Sequence, residues 1–495
     1  MRYQSAQFAR GGLFIAVSLL LTACTVGPKY QRPTVQPPLP IYKEAGDWKP
    51  AQPNELSLGG KWWEIFGDPQ LNVLEEKINV SNQNLKTAEA QFREARAALR
   101  YARADYYPTI TASPSATRNR VSANRPPNNS VFNGITTNDF ILPFDLSYQA
   151  DVWGRVRRNV ESFREQAQAS AADLATINLS LHADLAVDYF QARSLDAQEK
   201  LLLFTVSQYE EYLQLTENRF NGGLASEVEV QQARTQLETT RAQAVDVGVL
   251  RAQFEHAVAT LIGESASTFD LPPLPLATPP PVIPIGVPSA LLERRPDIAA
   301  AERRVASANA QIGVAKAAYY PQLNLNATGG FESGVITTLF SGPSILWSAG
   351  PQALVTVFDV GRRRSFTDEA IAAHDAQVAI YRQTVLTAFQ QVEDSLAAVR
   401  VLEQEAKVQD VAVSAARRSL DLSTIRYKGG VTSYLEVILA QNAALADEIT
   451  EVNILGRRMV SAVQLIQALG GGWDISTIPQ RPECCGKLVS TNDKP

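Results

Sequence analysis

The 495-residue sequence has few of the residues that bind metals or carry out catalysis. It contains three cysteines and three histidines. Cys24 stands alone, whereas Cys484 and Cys485 are adjacent, and neighbouring cysteines rarely bridge each other without strain. The histidines have neither metal-ligand spacing nor a nucleophile at hand, and no phosphate-binding loop or dinucleotide fingerprint appears. We therefore expect no metal, no cofactor other than a covalent lipid, and no catalytic residue: the protein is not expected to be an enzyme.

Positive charge and long apolar runs are also in short supply. The 46 Lys and Arg are outnumbered by 51 Asp and Glu, which gives a net charge of -5. A basic surface is what nucleic acid requires, so nucleic acid is excluded as a partner. Beyond the N-terminus no apolar run approaches the roughly 20 residues of a membrane-spanning helix. If the protein crosses a membrane, it must do so as strands.

The N-terminus has the pattern of a secretory signal. Arg2 and Arg10 precede the apolar run 11–21, which is too short to span a bilayer. The run ends in Leu-Thr-Ala-Cys, which resembles a lipobox, and Thr25 after it resembles lipoproteins sent to the outer membrane. We predict a signal peptide at 1–23 and a lipid on Cys24, followed by a Pro-rich tether. The alternative is a cysteine that merely ends the signal.

Most of the remaining chain consists of two copies of one internal repeat. Ala88–Pro108 recurs as Ala301–Pro321 at an offset of 213, and Arg219–Ser226 recurs as Arg426–Ser433 at an offset of 207. The offset changes only between residues 108 and 154. That segment therefore tolerates a change of length, as loops do, while its flanks keep register.

Each copy contains a window that predicts a very long helix. Arg155–Asn221 and Arg362–Lys428 lack both proline and glycine, so each helix would be on the order of 100 Å long. A narrow apolar stripe at steps of three and four, as in Val378–Val399, is typical of coiled helices. Pairs of glycines end both windows, and new helical patterns follow at once, so each copy is predicted to form a helical hairpin with the glycines at its tip. Leu71–Asp105 supplies one further helical pattern.

Alternating apolar and polar residues predict strands between the helices. The stronger patterns are Leu142–Val152 and Leu323–Gly329, and the weaker are Thr109–Thr117 and Ala353–Phe358, with loops at Arg118–Asp139 and Phe331–Ala349. Four strands are too few to close in lipid, where barrels begin near eight, so strands must be pooled from several subunits. The alternative is a soluble β-sandwich with one solvent-exposed face.

Several segments, taken together and in order, resemble one family. They are Trp62–Leu71, Ala186–Phe190, Glu255–Ala259, Leu291–Ile298 and Val392–Leu396. From Cys24 to about Trp473 the chain resembles the outer-membrane factors, the TolC-like and OprM-like efflux channels, in their lipoprotein branch.

The resemblance implies an α+β membrane protein of two structural repeats. Long coiled helical hairpins would form a periplasmic helical barrel, and four strands per chain would contribute to a twelve-stranded outer-membrane β-barrel shared by a homotrimer. It also implies a periplasmic adaptor (a membrane fusion protein) and an inner-membrane RND-type pump as partners. The implied function is that of a passive exit duct for small toxic compounds.

The resemblance also carries site residues onto this sequence. The residues implied to dock the adaptor are Gly222, Gly223, Leu224, Ser226, Gly429, Gly430, Val431 and Ser433. The implied periplasmic gate consists of Tyr427, Leu435 and Glu436. Many relatives have an aspartate where this chain has Leu439. A ring of Glu436 carboxylates is one substitute for that aspartate. A solvated helical carboxylate equivalent to Glu229 is the other interpretation.

The predicted organisation has six parts. They are the signal peptide 1–23, the anchored tether and equatorial segment 24–70, repeat 1 at 71–270 with its β-hairpin at 108–153, the Pro-rich linker 271–289, repeat 2 at 290–472 with its β-hairpin at 321–360, and a flexible tail 473–495. A protein-secretion duct of the same architecture stays open as an alternative function. A lipoprotein without a pore is another, although such a tether has no need of strands.

Overall fold

The computed structural model describes residues 25–35, 42–45, 60–124, 134–283 and 291–477. Its main helices are α1 (Pro69–Ser81), α2 (Gln83–Ala104), α3 (Arg155–Asn221), α4 (Glu227–Leu261), α5 (Pro296–Ala317), α6 (Arg362–Lys428) and α7 (Tyr434–Ala468). Its strands are β1 (Thr109–Ala112), β2 (Ser115–Arg120), β3 (Thr136–Ala150), β4 (Gln322–Ser333) and β5 (Ile345–Leu354). Short helical turns lie at Lys43–Ala45, Trp62–Phe66, Leu291–Arg294, Ile336–Thr338, Gly342–Ser344 and Ile475–Thr477.

The two long helices, α3 and α6, have the bounds that the sequence predicts. Each contains 67 residues without a break, which corresponds to about 100 Å of helix. The apolar stripe of α6 is buried at Tyr381, Val385, Ala388, Val392 and Leu396. Within the described ranges, none of the helices has an apolar window of the length and hydropathy that a bilayer crossing requires.

The strands belong to one compact unit, formed by the described parts of 1–33, 93–169 and 301–381. All pairings are antiparallel, in the order β1–β3–β4–β5, and β2 also pairs with β3. β1 and β2 lie along the same edge of β3, since Thr109 faces Ser147 and Ser115 faces Ile141. They form an interrupted edge strand, because the break between them contains Pro114, which has no amide hydrogen to donate. The sheet is therefore four strands wide.

The fourth strand is where the prediction from sequence was wrong. β5 covers Ile345–Leu354, so Ala353–Phe358 contributes only its first two residues, and the predicted loop Phe331–Ala349 is strand at both ends. The register with β4 sets these bounds, because Gln322 faces Leu354 and Phe331 faces Ile345. In the sequence, Gly350 and Pro351 make the β5 segment resemble a turn rather than a strand. An outer strand tolerates a proline whose missing donor faces away from the ladder.

The helical pattern Leu71–Asp105 is likewise two helices rather than one. Asn82 has extended backbone angles between α1 and α2. Its side chain accepts a hydrogen bond from the Leu85 amide at 2.9 Å and donates to the Leu261 carbonyl at 2.7 Å. The side chain therefore caps the start of α2 and ties it to the end of α4. This asparagine cap separates the two helices without a glycine or proline, the residues that indicate a helix break in a sequence.

A buried ionic cluster organises the second compact unit, which comprises the described parts of 34–92, 170–300 and 382–495. Arg193 is 1% exposed and donates to Asp196 at 2.9 Å, to the Pro272 carbonyl at 2.6 Å and to Gln70 at 2.8 Å. Asp196 also accepts from Arg251 at 3.1 Å. Because a buried ion pair is stable only when its hydrogen bonds are satisfied, this cluster fixes the start of the Pro-rich linker against α3.

Candidate functional site

The first predicted docking tip is a tight turn between α3 and α4. The Leu224 amide donates to the Arg219 carbonyl at 2.8 Å, and the Gly223 amide donates to the Phe220 carbonyl at 2.9 Å. This pair of bonds is a Schellman motif, which requires a left-handed residue after the helix. Gly223 supplies it with φ of 73°. Gly222 precedes it, and Leu224 projects from the turn with 74% exposure.

The second tip, between α6 and α7, repeats the first. The Val431 amide donates to the Arg426 carbonyl at 2.9 Å, and the Gly430 amide donates to the Tyr427 carbonyl at 3.0 Å. Gly430 has φ of 72°, and Gly429 precedes it. Val431 is exposed, as Leu224 is in the first tip. The repeat seen in sequence is therefore a repeat of backbone geometry, with an exposed apolar side chain at the equivalent position of each tip, Leu224 and Val431.

The two tips differ in how the returning helix begins. Ser226 accepts from the Glu229 amide at 3.4 Å, while the Glu229 carboxylate accepts from the Ser226 amide at 3.2 Å, which completes a capping box. Ser433 holds the same position before α7, but its side chain makes no cap bond within the described residues. Loss of a cap bond typically costs about 1 kcal/mol. The second tip is thus the less firmly capped of the two.

Tyr427, a predicted gate residue, is buried in a cluster that joins the two tips. Its ring is 2% exposed and packs against Tyr434 with ring centroids 5.3 Å apart. The Arg219 guanidinium lies over the Tyr427 ring at 4.6 Å and donates to the Tyr427 carbonyl at 3.0 Å. That carbonyl also accepts the Gly430 amide that closes the second tip. Arg219 therefore connects the first tip to the turn of the second.

The other predicted gate residues lie at the start of α7. Leu435 is 52% exposed. The Glu436 carboxylate lies 3.8 Å from the Arg426 guanidinium, and both side chains are about half exposed, at 49% and 57%. Such a pair contributes little to stability, because water screens it. Leu439, which stands where many relatives have aspartate, is also exposed. Leu435, Glu436 and Leu439 are therefore exposed to solvent and can contact groups outside this chain.

A surface groove runs between α4 and α7 next to the tips. Its volume is about 510 Å³. It is lined by Glu227, Val228, Gln231, Gln232, Thr235, Gln236, Leu435 and Ile438. Amide and aliphatic groups dominate this lining, which suits a helix that offers both small apolar and hydrogen-bonding side chains.

The predicted lipid site, Cys24, lies outside the described residues, but the residues directly after it are described. The Val26 amide donates to the Trp153 carbonyl at 3.1 Å. The Trp153 indole in turn donates to the Pro321 carbonyl at 2.8 Å and stacks on Tyr320 with ring centroids 4.8 Å apart. The chain after Cys24 is thus fixed beside two aromatic side chains at the ends of strands β3 and β4. Trp and Tyr are the residues that favour a membrane–water interface.

One buried acid–base pair lies away from the tips. Glu75 and His182 are 2.6 Å apart, and Trp63 stacks on the imidazole. Burial raises the pKa of Glu75 to about 9 and lowers the pKa of His182 to about 4. The pair therefore carries no net charge at neutral pH. In the described part of the chain, no group of three His, Cys, Asp or Glu side chains is arranged to hold a metal ion.

Arg219 and Tyr434 are the tip residues that sequence reasoning missed. The aligned copies contain a signal for the first, because Arg219 and Arg426 occupy the same place in the repeat. What the alignment does not contain is the contact of Arg219 with a residue 208 positions away.

Comparison with known proteins places the chain in a family. The sequence profile of the family "Outer membrane efflux protein" matches residues 74–264 and 287–471. The chain is 33% identical over 480 residues to the toluene efflux pump outer membrane protein TtgF of Pseudomonas putida, covering 94% of this chain and 98% of TtgF. It is 32% identical over 464 residues to the antibiotic efflux pump outer membrane protein ArpC of Pseudomonas putida, covering 93% of this chain and 95% of ArpC.

A solved structure agrees with these relatives. The outer-membrane channel OprN matches with a TM-score of 0.84 and 30% identity, over 91% of this chain and all of that chain. The predicted α+β channel fold, the efflux function and the outer-membrane location are thereby confirmed. The chain belongs to the outer membrane efflux protein family.

Proposed function

We propose that this protein is the passive exit duct of a tripartite efflux system, built by three copies of the chain. The observation that carries the proposal is the sheet. The β1–β2 edge and the β5 edge have no further strand partner among the described residues, and unpaired backbone groups in lipid cost several kcal/mol each. Three copies joined edge to edge would give twelve strands and leave no edge open.

The outward side chains of the sheet support a lipid environment. Apolar residues on the strands are exposed in the single chain, among them Ile110, Phe144, Leu325, Ile345 and Trp347. An exposed apolar band on strands is what a membrane-spanning sheet requires, since lipid covers that band. The long helices would then form the periplasmic part of the duct.

We assign the tips as the docking site for a periplasmic adaptor, which links the duct to an inner-membrane RND-type pump. Exposed Leu224 and Val431 offer an apolar contact at equivalent positions of the two copies. The groove between α4 and α7 adds glutamine side chains that would hydrogen-bond a partner helix docked there. Docking would open the channel at Tyr427, Leu435 and Glu436. This chain supplies no energy source of its own in the proposal, and it performs no catalysis.

The cargo is proposed from the names of the relatives. TtgF is named for toluene and ArpC for antibiotics, so we propose small apolar or amphiphilic toxic molecules. Protein secretion, the alternative of the same architecture, has less support, because the relatives carry efflux names.

We further propose that Cys24 carries the lipid anchor. The support is the position of the next residues, since Thr25 lies against Gly154 and Val26 is bonded to Trp153. Aromatic side chains at this point suit the membrane interface, where an acyl chain would enter the lipid. Intact-mass measurement of the membrane-extracted protein tests this. The Cys24→Ala variant should lack the diacylglyceryl and acyl mass, and an unmodified wild-type chain would remove the assignment.

The experiment that tests the efflux role is deletion of the protein followed by susceptibility measurements. Cells without the protein should become sensitive to toluene-like solvents and to amphiphilic antibiotics, and wild-type protein should restore resistance. A variant with the first tip altered by Gly223→Val tests the role of the tip in the same cells. This variant should be made to wild-type level and reach the membrane, yet fail to restore resistance. Unchanged sensitivity after deletion would overturn the proposal.

A further inference from the structure

The strand pairings assign each side chain of the sheet to one of two faces. Side chains alternate between the faces along a strand, and residues paired directly across two strands lie on the same face. The exposed aromatic residues Phe144 and Trp347 share one face, because both are paired with Gly329. We call this the outward face. Its residues on β3 are Phe140, Leu142, Phe144, Leu146, Tyr148 and Ala150.

The charged residues of the strands are divided by sign between the two faces. Arg118 pairs with Asn138 and Arg120 pairs with Thr136, which places both arginines on the outward face. The opposite face carries the carboxylates of the strands, which are Asp139, Asp145 and Glu332. Both arginines are exposed, and neither has an ion-pair partner among the residues that the structure describes. The outward face thus offers two guanidinium groups that no carboxylate of the sheet neutralises.

The height of these arginines matches the headgroup layer of a membrane. From Ala150 to Phe140 the outward face of β3 is apolar, over about 34 Å of strand and about 25 Å of membrane at the usual strand tilt. Arg118 lies two residues beyond Ala116, the partner of Phe140, and so about 5 Å above this apolar band. Headgroups occupy roughly the first 5–8 Å outside the hydrocarbon. The helices join the sheet at its other end, so in the proposed duct the arginines lie at the outer leaflet.

The loop 334–344, between β4 and β5, supplies an apolar surface near the arginines. A Cβ placed on Gly334 would lie 3.4 Å from the carbonyl of Asn138, which is the strand partner of Arg118. One strand therefore separates the start of the loop from Arg118, or about 10 Å. Phe340 packs edge-on against Phe331 of the outward face, with ring centroids 5.4 Å apart, so the loop folds over that face. Its exposed apolar side chains are Val335, Ile336 and Phe340.

The polar groups of this loop bond to one another. The Thr338 carbonyl accepts from the Ser341 hydroxyl at 2.7 Å and from the Ser344 hydroxyl at 2.8 Å. The hydroxyls of Ser333 and Thr338 are 2.8 Å apart. Polar groups that bond internally while apolar side chains are exposed suit a segment in contact with hydrocarbon, where unbonded polar groups are costly.

We propose that Arg118, Arg120 and the loop 334–344 form a binding site for a phosphate-bearing lipid of the outer leaflet. The two guanidinium groups bond the phosphate oxygens, to which arginine donates paired, charge-assisted hydrogen bonds. Val335 and Ile336 contact the acyl chains next to the headgroup. Each chain carries one such site. The site rests on the proposed function, which places the outward face in lipid.

Native mass spectrometry of the detergent-extracted protein with added lipid tests the site. The probe is lipid A that carries both of its phosphates. The double variant Arg118→Gln/Arg120→Gln should bind it with an apparent affinity at least roughly tenfold lower than the wild type. The matched control, Arg93→Gln/Arg100→Gln, removes the same charge from exposed positions of α2 and should bind as the wild type does. An unchanged affinity in the first variant, or an equal loss in the control, overturns the site.

Further ligands and a loop variant separate the parts of the site. Lipid A without phosphates should bind the wild type no more tightly than intact lipid A binds the arginine variant. Val335→Ser/Ile336→Ser should weaken the binding of both lipids by the same factor, because only contact with acyl chains is lost, and unchanged binding would remove the loop from the site. Inorganic phosphate in excess should leave lipid A bound. Displacement by phosphate would indicate a site for free anions and overturn the lipid assignment.

Conductance separates this site from the proposed duct. In planar bilayers of phosphatidylethanolamine, the arginine variant should conduct as the wild type does, because Arg118 and Arg120 face away from the interior of the duct. A changed conductance would contradict their place on the outward face. A conducting trimer that binds lipid A equally with and without the two arginines overturns the lipid site alone. A wild-type protein that is monomeric and does not conduct overturns the duct.

Discussion

Replacing Arg219 by methionine tests whether this side chain holds the second tip closed. Methionine keeps an apolar stem beside Tyr427 but removes the guanidinium that lies 4.6 Å from the ring and the bond of 3.0 Å to the carbonyl. A hydrogen bond from a charged donor contributes about 1.5–3 kcal/mol and a cation–π contact about 0.5–2 kcal/mol. One guanidinium nitrogen, Nε, is buried without a partner in the described residues, which reduces the net gain.

The expected loss is therefore about 2 kcal/mol, which corresponds to a roughly thirtyfold change in an opening equilibrium. Hydrogen exchange of the peptide that contains Tyr427 and Val431 measures this opening, because the Gly430 amide is bonded to the Tyr427 carbonyl. Exchange of that peptide should accelerate by this factor in Arg219→Met.

The matched control is Arg234→Met, because Arg234 lies near the first tip, as Arg219 does. Arg234 pairs with Glu217 at 3.2 Å, and its side chain is 53% exposed, so its loss should cost less than about 1 kcal/mol. The reasoning is refuted if exchange at the second tip accelerates less than about threefold in Arg219→Met, or by the same factor in both variants.

Three further predictions concern other sites. Arg193→Met leaves the Pro272 carbonyl and Gln70 without their donor and weakens the pairing of Asp196. The free energy of unfolding should therefore fall by about 3–5 kcal/mol. Thermal unfolding followed by circular dichroism measures this loss of stability, and an unchanged midpoint would contradict the buried cluster. Because burial raises the folded pKa of Glu75 to about 9, the contribution of this carboxyl group to stability falls as pH rises from its unfolded pKa toward 9. Above pH 7 His182, whose pKa is lowered, is neutral in both states and does not offset this loss. Glu75→Gln should remove that alkaline loss between pH 7 and 9, and an unchanged pH slope of the unfolding midpoint would count against it. Glu436→Ala should lower the cation preference of the channel in planar bilayers if its carboxylates line the gate, and identical conductance and selectivity would remove Glu436 from the gate.

The bounds of the long helices could be predicted because their signals are local. Proline and glycine are absent from α3 and α6, and glycine pairs follow both, so the chain itself marks where each helix stops. The break at Asn82 escaped prediction for the opposite reason. Its capping bonds need only one asparagine and a carbonyl of α4 far away in the sequence.

The fourth strand and the tip cluster depend on partners that the sequence does not place side by side. The bounds of β5 follow from its ladder with β4 rather than from its own alternation, which Gly350 and Pro351 interrupt. The contact of Arg219 with Tyr427 joins the two copies of the repeat. Glycine pairs predicted where the tips are, but the side chains that hold them were visible only in the structure.

Native mass spectrometry of the protein extracted from outer membranes tests the central claim most directly. The unpaired edges of the four-strand sheet predict a complex of three identical chains that conducts ions in planar bilayers. A protein that remains a single chain after gentle extraction, and leaves bilayers impermeable, would contradict the shared sheet and the duct built on it.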